Sequence, residues 1–230
     1  MKSKKKFIAV ILARGGSKEI KLKNLTNINK KPLLYWTLRA CKKSQFIKNI
    51  WISSDHKAIL EYSKKNGALI IKRPKKLAKN YSTSIEGIYH ALKFINQYDK
   101  EYSNVIFLQA TSPIRNSSSI DKAIKYYNKL KYDSLFSSQE IKDFFIWKKI
   151  KGKIKADHNY KNRLPRQKLE KKYLENGSIY IFKKKLFLKK RTLFAGKVGT
   201  FVMKKIESFQ LDDLEDKEII NYLMSKKTKL

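Results

Sequence analysis

Short apolar runs rich in isoleucine, valine and phenylalanine alternate with amphipathic stretches along the first half of this chain. The first run, Phe7 to Ala13 (FIAVILA), has lysines before it and two glycines soon after it. A continuous run of this kind is typical of a strand that is buried on both faces of a parallel sheet. Four more such runs follow, at Asn49 to Ser53, Ala68 to Ile71, Val105 to Leu108 and Ser134 to Phe136.

The stretches between these runs carry apolar residues at helical spacing. One begins after Pro32, a favourable first-turn residue, and another ends near Gly67, which is placed as a helix C-cap. Two further stripes begin at Ile85 and at Ile120. Because strands alternate with amphipathic helices, we expect βαβ units and an α/β fold with a doubly wound, mostly parallel sheet.

The alternation changes from about residue 143 onward. Phe144 to Ile150 and Ile179 to Phe182 are typical of strands, and a Lys-Gly-Lys turn lies between them without a long helix. Apolar spacing near the C-terminus predicts a closing helix that includes Leu214 and Leu223. We therefore expect one domain over residues 1–230, in which about 143–200 contain a smaller inserted β lobe, a dimerisation arm.

The formal net charge of +35, from 54 Lys and Arg against 19 Asp and Glu, has two interpretations. A basic face would bind nucleic acid through its phosphates. Only seven of the 54 cations are arginines, however, and the lysines are spread over every segment. Proteins that recognise nucleic acid usually rely on arginine and concentrate their positive charge on one face. We therefore interpret the lysine excess as a general bias of composition and expect no specific nucleic-acid partner.

Cysteine and hydropathy exclude other classes of protein. The single Cys41 cannot build a disulfide framework or a multi-cysteine zinc site. No apolar stretch approaches the ~18 residues of a membrane span, and the N-terminal run leads into Arg14-Gly15-Gly16 rather than into a cleavage region. We expect no membrane association and a cytoplasmic location.

The loop after the first run carries the strongest signal for chemistry. It reads Ala13-Arg-Gly-Gly-Ser-Lys-Glu-Ile-Lys-Leu-Lys-Asn-Leu25. Its glycines can bring backbone N–H groups close to an anion, and Arg14, Lys18 and Lys23 can neutralise phosphates. The loop lacks the Gly-Lys-Ser/Thr of a P-loop and the Gly-x-Gly-x-x-Gly of a dinucleotide turn. In open α/β sheets ligands bind at the carboxyl ends of strands, which is where this loop lies.

This loop and five later blocks resemble the acylneuraminate cytidylyltransferases, which make CMP-sialic acid and related CMP-linked sugars. The later blocks follow in the order of that family and are Ser53-Ser54-Asp55, Arg73-Pro74 with Ser82 to Ser84, Gln109 to Arg115, Glu175 to Tyr180 and Leu211 to Asp216. The resemblance covers nearly the whole chain. It implies a Rossmann-like domain, a homodimer, and transfer of CMP from CTP to the anomeric hydroxyl of a nine-carbon 2-keto sugar acid with Mg²⁺.

The same resemblance assigns roles to individual residues. Lys23, Asp212 and Arg14 are expected to be catalytic, and Asp212 is also expected to be the Mg²⁺ ligand and a base for the attacking hydroxyl. The expected nucleotide-binding residues are Arg14, Gly15, Gly16, Ser17, Lys23, Asn24, Arg73 and Ser84. The expected sugar-acid contacts are Gln109, Arg166, Asn176 and Tyr180, and Phe194 is a candidate for a contact across the dimer.

Two positions depart from the family pattern. Gln210 replaces the first carboxylate of an Asp-x-Asp motif, so Asp212 is left as the acidic ligand. Leu174 stands where some relatives carry an arginine near the sugar. Asp213 and Asp216 are interpreted as acids that cap the last helix, whereas Thr111, Ser112 and Arg115 fit either the sugar site or turn chemistry around Pro113.

Two alternatives to this function stay open. One is a nucleotidyltransferase for another sugar, such as 3-deoxy-octulosonic acid or a sugar phosphate. The other is a non-catalytic basic protein that binds nucleic acid, which the charge alone supports.

Overall fold

The computed structural model describes residues 7–17, 19–141 and 145–227, without the side chains of Arg166 and Lys227. The helices are α1 (Leu33–Lys43), α2 (Lys57–Lys65), α3 (Ser84–Ile95), α4 (Ser117–Lys129), α5 (Lys184–Lys190) and α6 (Leu214–Lys227). The strands are β1 (Phe7–Leu12), β2 (Asn27–Ile28), β3 (Lys31–Pro32), β4 (Ile47–Ser54), β5 (Leu69–Lys72), β6 (Asn104–Leu108), β7 (Ser134–Ile141), β8 (Trp147–Ile150), β9 (Lys153–Ala156), β10 (Lys172–Lys183) and β11 (Val198–Val202).

A seven-stranded sheet in the order β11-β7-β10-β6-β1-β4-β5 is the centre of the fold. Strands β1, β4, β5 and β6 are mutually parallel, β11 is parallel to β7, and β10 runs antiparallel to both β6 and β7. The chain first winds outward from β1 through β4 to β5 and then returns to β6 on the other side of β1. The order of strands therefore reverses between β1 and β6, where a ligand crevice is expected in such sheets.

Both faces of the sheet are covered by helices. Alternate residues of β1 point in opposite directions, so Ile8 and Val10 pack with α3, whereas Ala9 and Ile11 pack with α1 and α4. Burial of β1 on both faces explains its continuous apolar sequence. The predicted doubly wound, mostly parallel α/β sheet is confirmed.

The described part of the stretch 143–200, which is predicted to contain a β lobe, includes a two-stranded sheet apart from the central one. Strands β8 and β9 form a separate hairpin, and all of their residues except Ala156 are exposed. The chain from Lys172 onward belongs to the main sheet through β10 and β11, and the lobe's role as a dimerisation arm stays a prediction. The first four residues of β10 are exposed and the next seven are buried, so one strand spans two different surroundings. The predicted start of the lobe, Asp143 and Phe144, lies outside the described residues.

Helix α6 forms a third apolar cluster with the chain that follows β1. Ile220 and Met224 of α6 pack with Ile20, Ile28 and Leu211. Leu211 is fully buried, and its amide donates to the Thr111 carbonyl at 2.8 Å. This anchor brings Asp212, the next residue, to the carboxyl edge of the central strands. Within the described residues no helix has the length and apolar character needed to cross a membrane.

Candidate functional site

A cleft of about 330 Å³ lies at the carboxyl ends of β1, β5 and β6. Among the sequence-predicted site residues, those that line it are Arg14, Gly16, Ser17, Lys23, Asn24, Arg73, Ser84, Gln109 and Asp212. Lys79, which the sequence did not single out, lines it as well. Of the ionisable residues in the lining, four are cations and only Asp212 is an acid. The arrangement suits a ligand with several negative charges.

The loop after β1 is held in place by hydrogen bonds that its own side chains complete. The Asn24 side-chain amide donates to the Arg14 carbonyl at 2.9 Å, which closes the loop. Arg14 reaches across the cleft and donates through Nη1 to the Lys79 carbonyl and to Asn80 Oδ1, both at 3.3 Å. Lys18, the third predicted phosphate contact, lies outside the described residues.

The two glycines of this loop differ in what they do. The Gly15 amide donates to Asp55 Oδ1 at 2.9 Å, and a Cβ on Gly15 would lie 2.7 Å from His56 Cβ. Gly15 is thus required by the close approach of the chain after β4. In the structure a carboxylate accepts from its amide, and the predicted contact of Gly15 with a nucleotide stays a prediction. Gly16 lines the cleft, and a Cβ there would meet nothing within 4 Å.

Arg73 follows β5 directly and is 94% buried, with a relative exposure of 6%. Burial lowers its pKa, Asp55 opposes that shift, and Arg14 adds to it. Its Nη2 is 4.0 Å from Asp55 Oδ1. Within the part of the chain that the structure describes, Nε and Nη2 of Arg73 have no hydrogen-bond partner. Buried donors of this kind cost free energy unless a ligand satisfies them.

Lys23 stands opposite, at the α6 side of the cleft. Its Nζ donates to the Leu211 carbonyl at 3.1 Å and to the Asp212 carbonyl at 2.8 Å, and it lies 3.4 Å from Asp212 Oδ1. The Asp212 side chain is 72% exposed, so this ion pair contributes little stability. Lys23 and Asp212 are therefore both free to exchange this contact for a ligand.

Asp213 and Asp216 begin α6, as the sequence predicts. Asp213 Oδ1 accepts from the Asp216 amide at 2.9 Å, and Asp216 Oδ2 accepts from the amides of Asp212 at 2.8 Å and Asp213 at 3.2 Å. Both carboxylates thus satisfy first-turn amides, which confirms their interpretation as helix caps. Only Asp212 of this acidic block lines the cleft.

A hydrogen-bond network at the floor of the cleft includes the side chains of Gln210, Thr111 and Gln109 and the backbone of Asn176. Gln210 Nε2 donates to the Asn176 carbonyl, and Gln210 Oε1 accepts from Thr111 Oγ1 at 3.2 Å. Thr111 Oγ1 is also 3.4 Å from Gln109 Oε1. The residue that replaces the first acid of the motif is therefore part of the scaffold between Thr111 and β10.

The predicted sugar contacts divide into one cleft residue and two residues of the interior. Gln109 lines the cleft, whereas Asn176 and Tyr180 are not among its lining residues. Asn176 is buried, and its amide accepts from Ser137 Oγ at 2.6 Å and donates to Ser208 Oγ at 2.9 Å. The Tyr180 hydroxyl donates to Glu175, and burial raises its pKa further than that hydrogen bond does. The Arg166 side chain lies outside the described atoms.

Arg115 lies beneath the floor and is 98% buried. Its Nη1 donates to the carbonyls of Gln109 at 3.1 Å and Ser178 at 2.9 Å, and its Nη2 donates to Thr37 Oγ1 at 2.7 Å. Burial lowers its pKa to about 10. The sequence left open whether Arg115 belongs to the sugar site or to the turn around Pro113. The structure supports a structural role, because Arg115 joins the ends of β6 and β10 to α1.

A protein-held metal cage is absent from the described residues, which contain no cluster of three or more His, Cys, Asp or Glu side chains at metal-ligand spacing. One exposed carboxylate beside a cationic cleft nevertheless fits Mg²⁺, which usually takes one or two carboxylates and completes its shell with substrate phosphates and water.

Comparison with known proteins agrees with this geometry. Over 226 residues the chain is 30% identical to post-translational flagellin modification protein B of Campylobacter coli, with 96% of each chain covered. It is 32% identical to N-acylneuraminate cytidylyltransferase A of Danio rerio, of which it spans about half, 47%, with 89% of its own length. A solved structure of CMP:2-keto-3-deoxy-manno-octonic acid synthetase complexed with CTP superimposes with a TM-score of 0.71 at 13% identity, covering 96% of this chain and 99% of the other.

The profile of the family described as Cytidylyltransferase matches residues 8–229, which is nearly all of the chain. Strands β1, β4, β5 and β6, helix α6 and the cleft between them all fall within the match. The chain belongs to the cytidylyltransferase family.

Proposed function

We propose that this chain transfers CMP from CTP to the anomeric hydroxyl of a nonulosonic, sialic-type sugar acid and releases pyrophosphate. The observation that carries the proposal is the cleft at the carboxyl ends of β1, β5 and β6, which brings together Arg14, Lys23, Arg73, Gln109 and Asp212. The name of the Danio rerio relative supports an N-acylneuraminate as the acceptor.

The base is expected to lie at Arg73. A cytosine offers two adjacent acceptors, O2 and N3, and the buried guanidinium has two donors without partners among the described residues. Satisfying them recovers the free energy that burial of unpaired donors costs. Ser84, at the start of α3 on the same side of the cleft, is assigned to the base with Arg73.

The triphosphate is expected to extend from the base toward Lys23, along Arg14, Gly16 and Ser17. Its charge gives the Lys23 ammonium stronger acceptors than the carbonyls it now contacts. Asn24, whose Nδ2 is held by the Arg14 carbonyl, is assigned to the ribose through its remaining amide atoms. Phosphoryl transfer depends mainly on positioning and charge stabilisation, which these residues supply.

In the reaction the sugar hydroxyl attacks the α-phosphorus, a new phosphorus–oxygen bond forms, and the bond to the bridging oxygen of pyrophosphate breaks. Lys23 stabilises the charge that develops on the leaving group. Asp212 is the acid in the cleft lining, so we assign it as the acceptor of the hydroxyl proton and as the Mg²⁺ ligand. Bound Mg²⁺ would neutralise phosphate charge and orient the triphosphate.

The acceptor is expected beside Gln109 and Thr111, on the β10 side of the cleft. Asn176 fixes the strand that bounds this region, so its assigned sugar contact requires an exchange of its present hydrogen bonds. The alternative acceptor, 3-deoxy-octulosonic acid, has its support in the fold of the synthetase that superimposes on this chain.

We also propose a homodimer in which the hairpin β8–β9 contacts a second copy. Ile146, Trp147, Ile150 and Ile154 on or next to this hairpin are 45% to 62% exposed. They lie on both faces of the hairpin, and exposed apolar side chains of this size on a short hairpin are typical of protein interfaces. Phe194, 41% exposed, instead packs edge-on against Phe136 with ring centroids 5.7 Å apart, and its contact with a partner stays a prediction. Sedimentation equilibrium of Trp147→Ser and Ile154→Ser variants, expected to be monomeric, tests this interface.

The test of the function is release of pyrophosphate from CTP and Mg²⁺ with a panel of sialic, legionaminic, pseudaminic and 3-deoxy-octulosonic acids. Lys23→Ala and Asp212→Asn are expected to abolish release while the protein stays folded. Lys21→Ala removes an exposed cation from the same loop and serves as the matched control, with unchanged rates. Absence of release with every nonulosonic acid would refute the proposal, and release with 3-deoxy-octulosonic acid alone would replace it with the alternative.

Nucleic-acid binding is tested on the same protein by a salt titration with duplex DNA of arbitrary sequence. An enzyme whose lysines are compositional background loses such binding at physiological ionic strength. Tight binding that survives there, without pyrophosphate release, would favour the non-catalytic alternative.

A further inference from the structure

The Asp55 carboxylate lies behind the cleft and contacts both the loop after β1 and Arg73, which follows β5. Asp55 is the first residue after β4, whose carboxyl end lies between those of β1 and β5 in the sheet. Because Leu12 of β1 pairs with Ser53 and Ser54 pairs with Lys72 of β5, the next residue of β4 is within reach of both neighbouring loops.

One oxygen of this carboxylate makes both contacts. Asp55 Oδ1 accepts from the Gly15 amide at 2.9 Å and lies 4.0 Å from Arg73 Nη2. Gly15 belongs to the loop that faces the triphosphate, and Arg73 is assigned to the base. The side chain of Asp55 is only 20% exposed, so water screens the two contacts less than at an open surface.

The charge of Asp55 matters because its surroundings are cationic. Arg73 lies near Arg14, which lowers the Arg73 pKa by repulsion, and Asp55 provides the opposing attraction. Removing the negative charge would leave a buried guanidinium with its unpartnered donors facing a second arginine. Such a cation is expected to move toward water and away from the position in which its donors face a base.

We propose that Asp55 is a positioning residue that couples base recognition to the phosphate loop, by holding Arg73 and the Gly15 amide with the same oxygen. This inference rests on the proposed function. Asp55 does not touch the nucleotide: it acts by fixing the two groups that do. The predicted consequence is selective weakening of CTP binding, with the chemical step preserved wherever the loop keeps its hydrogen bond.

Two substitutions separate the contacts. Asp55→Asn keeps an oxygen for the Gly15 amide and removes the charge that faces Arg73. It is expected to raise Kd and KM for CTP roughly tenfold, as for loss of a partly buried ion pair, with kcat within about twofold of the original. Asp55→Ala removes both contacts and is expected to lower kcat as well. Glu61→Gln, which removes an exposed acid of α2, is the matched control with no change.

A double-mutant cycle provides the decisive readout. If Asp55 acts through Arg73, the effect of Asp55→Asn on the Kd for CTP disappears in an Arg73→Met background. Calorimetric titration of CTP without sugar acid measures this independently of turnover. Equal penalties in both backgrounds, or an Asp55→Asn protein that binds CTP as tightly as the original, overturn the inference. Failure of the unsubstituted protein to bind CTP instead overturns the proposed function, so the two failures are distinguishable.

Discussion

Replacement of Arg115 by methionine tests how the floor of the cleft is held. The guanidinium donates to the carbonyls of Gln109 and Ser178, to Ser178 Oγ at 3.2 Å and to Thr37 Oγ1. Among the described residues no carboxylate lies within ion-pair distance of it. Methionine is shorter than arginine and has no donors, so the variant removes the hydrogen bonds of three N–H groups, two on Nη1 and one on Nη2.

Two opposing contributions determine how much Arg115→Met changes the free energy of unfolding. Hydrogen bonds from a charged donor contribute about 2 kcal/mol each, or about 6 kcal/mol for the three N–H groups that are engaged. Against this, the fall of the Arg115 pKa from 12.5 to about 10 corresponds to about 3 kcal/mol that burial of the charge costs and methionine avoids. We therefore expect Arg115→Met to lower the free energy of unfolding by about 3 kcal/mol.

Urea denaturation followed by circular dichroism measures this loss. Arg39→Met, on the exposed side of α1, is the control and is expected to change stability by less than about 0.5 kcal/mol. Because Gln109 loses the donor to its carbonyl, kcat/KM is also expected to fall in buffer without urea. An Arg115→Met protein as stable as the original would refute the reasoning, since it would mean that the hydrogen bonds of the guanidinium only offset the cost of burying the charge.

Three further predictions address local features. Thr83→Ala removes the capping box of α3, in which Thr83 and Glu86 each accept the other's amide, and is expected to cost about 1 kcal/mol by thermal melting, whereas Thr83→Ser keeps it. Gly177→Ala, at φ 64° and with a Cβ 2.6 Å from Gln210 Nε2, is expected to lower both stability and pyrophosphate release, while Gly152→Ala in the exposed β8–β9 turn lowers only stability. A hydrogen bond from Lys183 lowers the pKa of Asp133 below its usual 3.8. The Asp133 carboxylate therefore stabilises the fold above pH 3.8, and this contribution is lost as the pH falls through the lowered pKa. In an acid titration of stability, Asp133→Asn should lack this decrease.

Elements buried on both faces could be predicted from the sequence. The apolar runs predicted β1, β4 and β6 within a few residues, because a strand covered on both sides admits few polar residues, and they also predicted β5, an edge strand in which only Ile71 is buried. Gly67 was predicted as a C-cap, and it follows α2 with φ 69°. Helix α5 and strand β11 were missed. The seven residues of α5 include four lysines and no side-chain cap, and β11 is an edge strand with both of its end valines exposed.

The parts of the site at strand ends could also be predicted, since parallel strands bring their carboxyl ends to one edge. Contacts between loops could not be predicted. The partners of Asp55 and Arg14 lie 40 and 65 residues away along the chain, and no local pattern marks them. Asn176 shows the same limit, because the family resemblance assigns it to the sugar whereas Ser137 and Ser208, from distant segments, hold its amide.

In a chain with a net charge of +35, two acids oppose cations at the cleft, Asp212 in its lining and Asp55 behind it. Each faces one cation that the proposed function assigns to CTP: Asp55 faces the buried Arg73, and Asp212 faces Lys23. The Asp212 side chain is 72% exposed and its ion pair is weak, so a triphosphate can displace it at little cost. The Asp55 side chain is 20% exposed, and its charge is held against a cation that has lost its water, so displacing it would be costly. Under the proposed function, Arg73 is therefore fixed before the nucleotide binds, whereas Lys23 is engaged by phosphate only when the nucleotide is present.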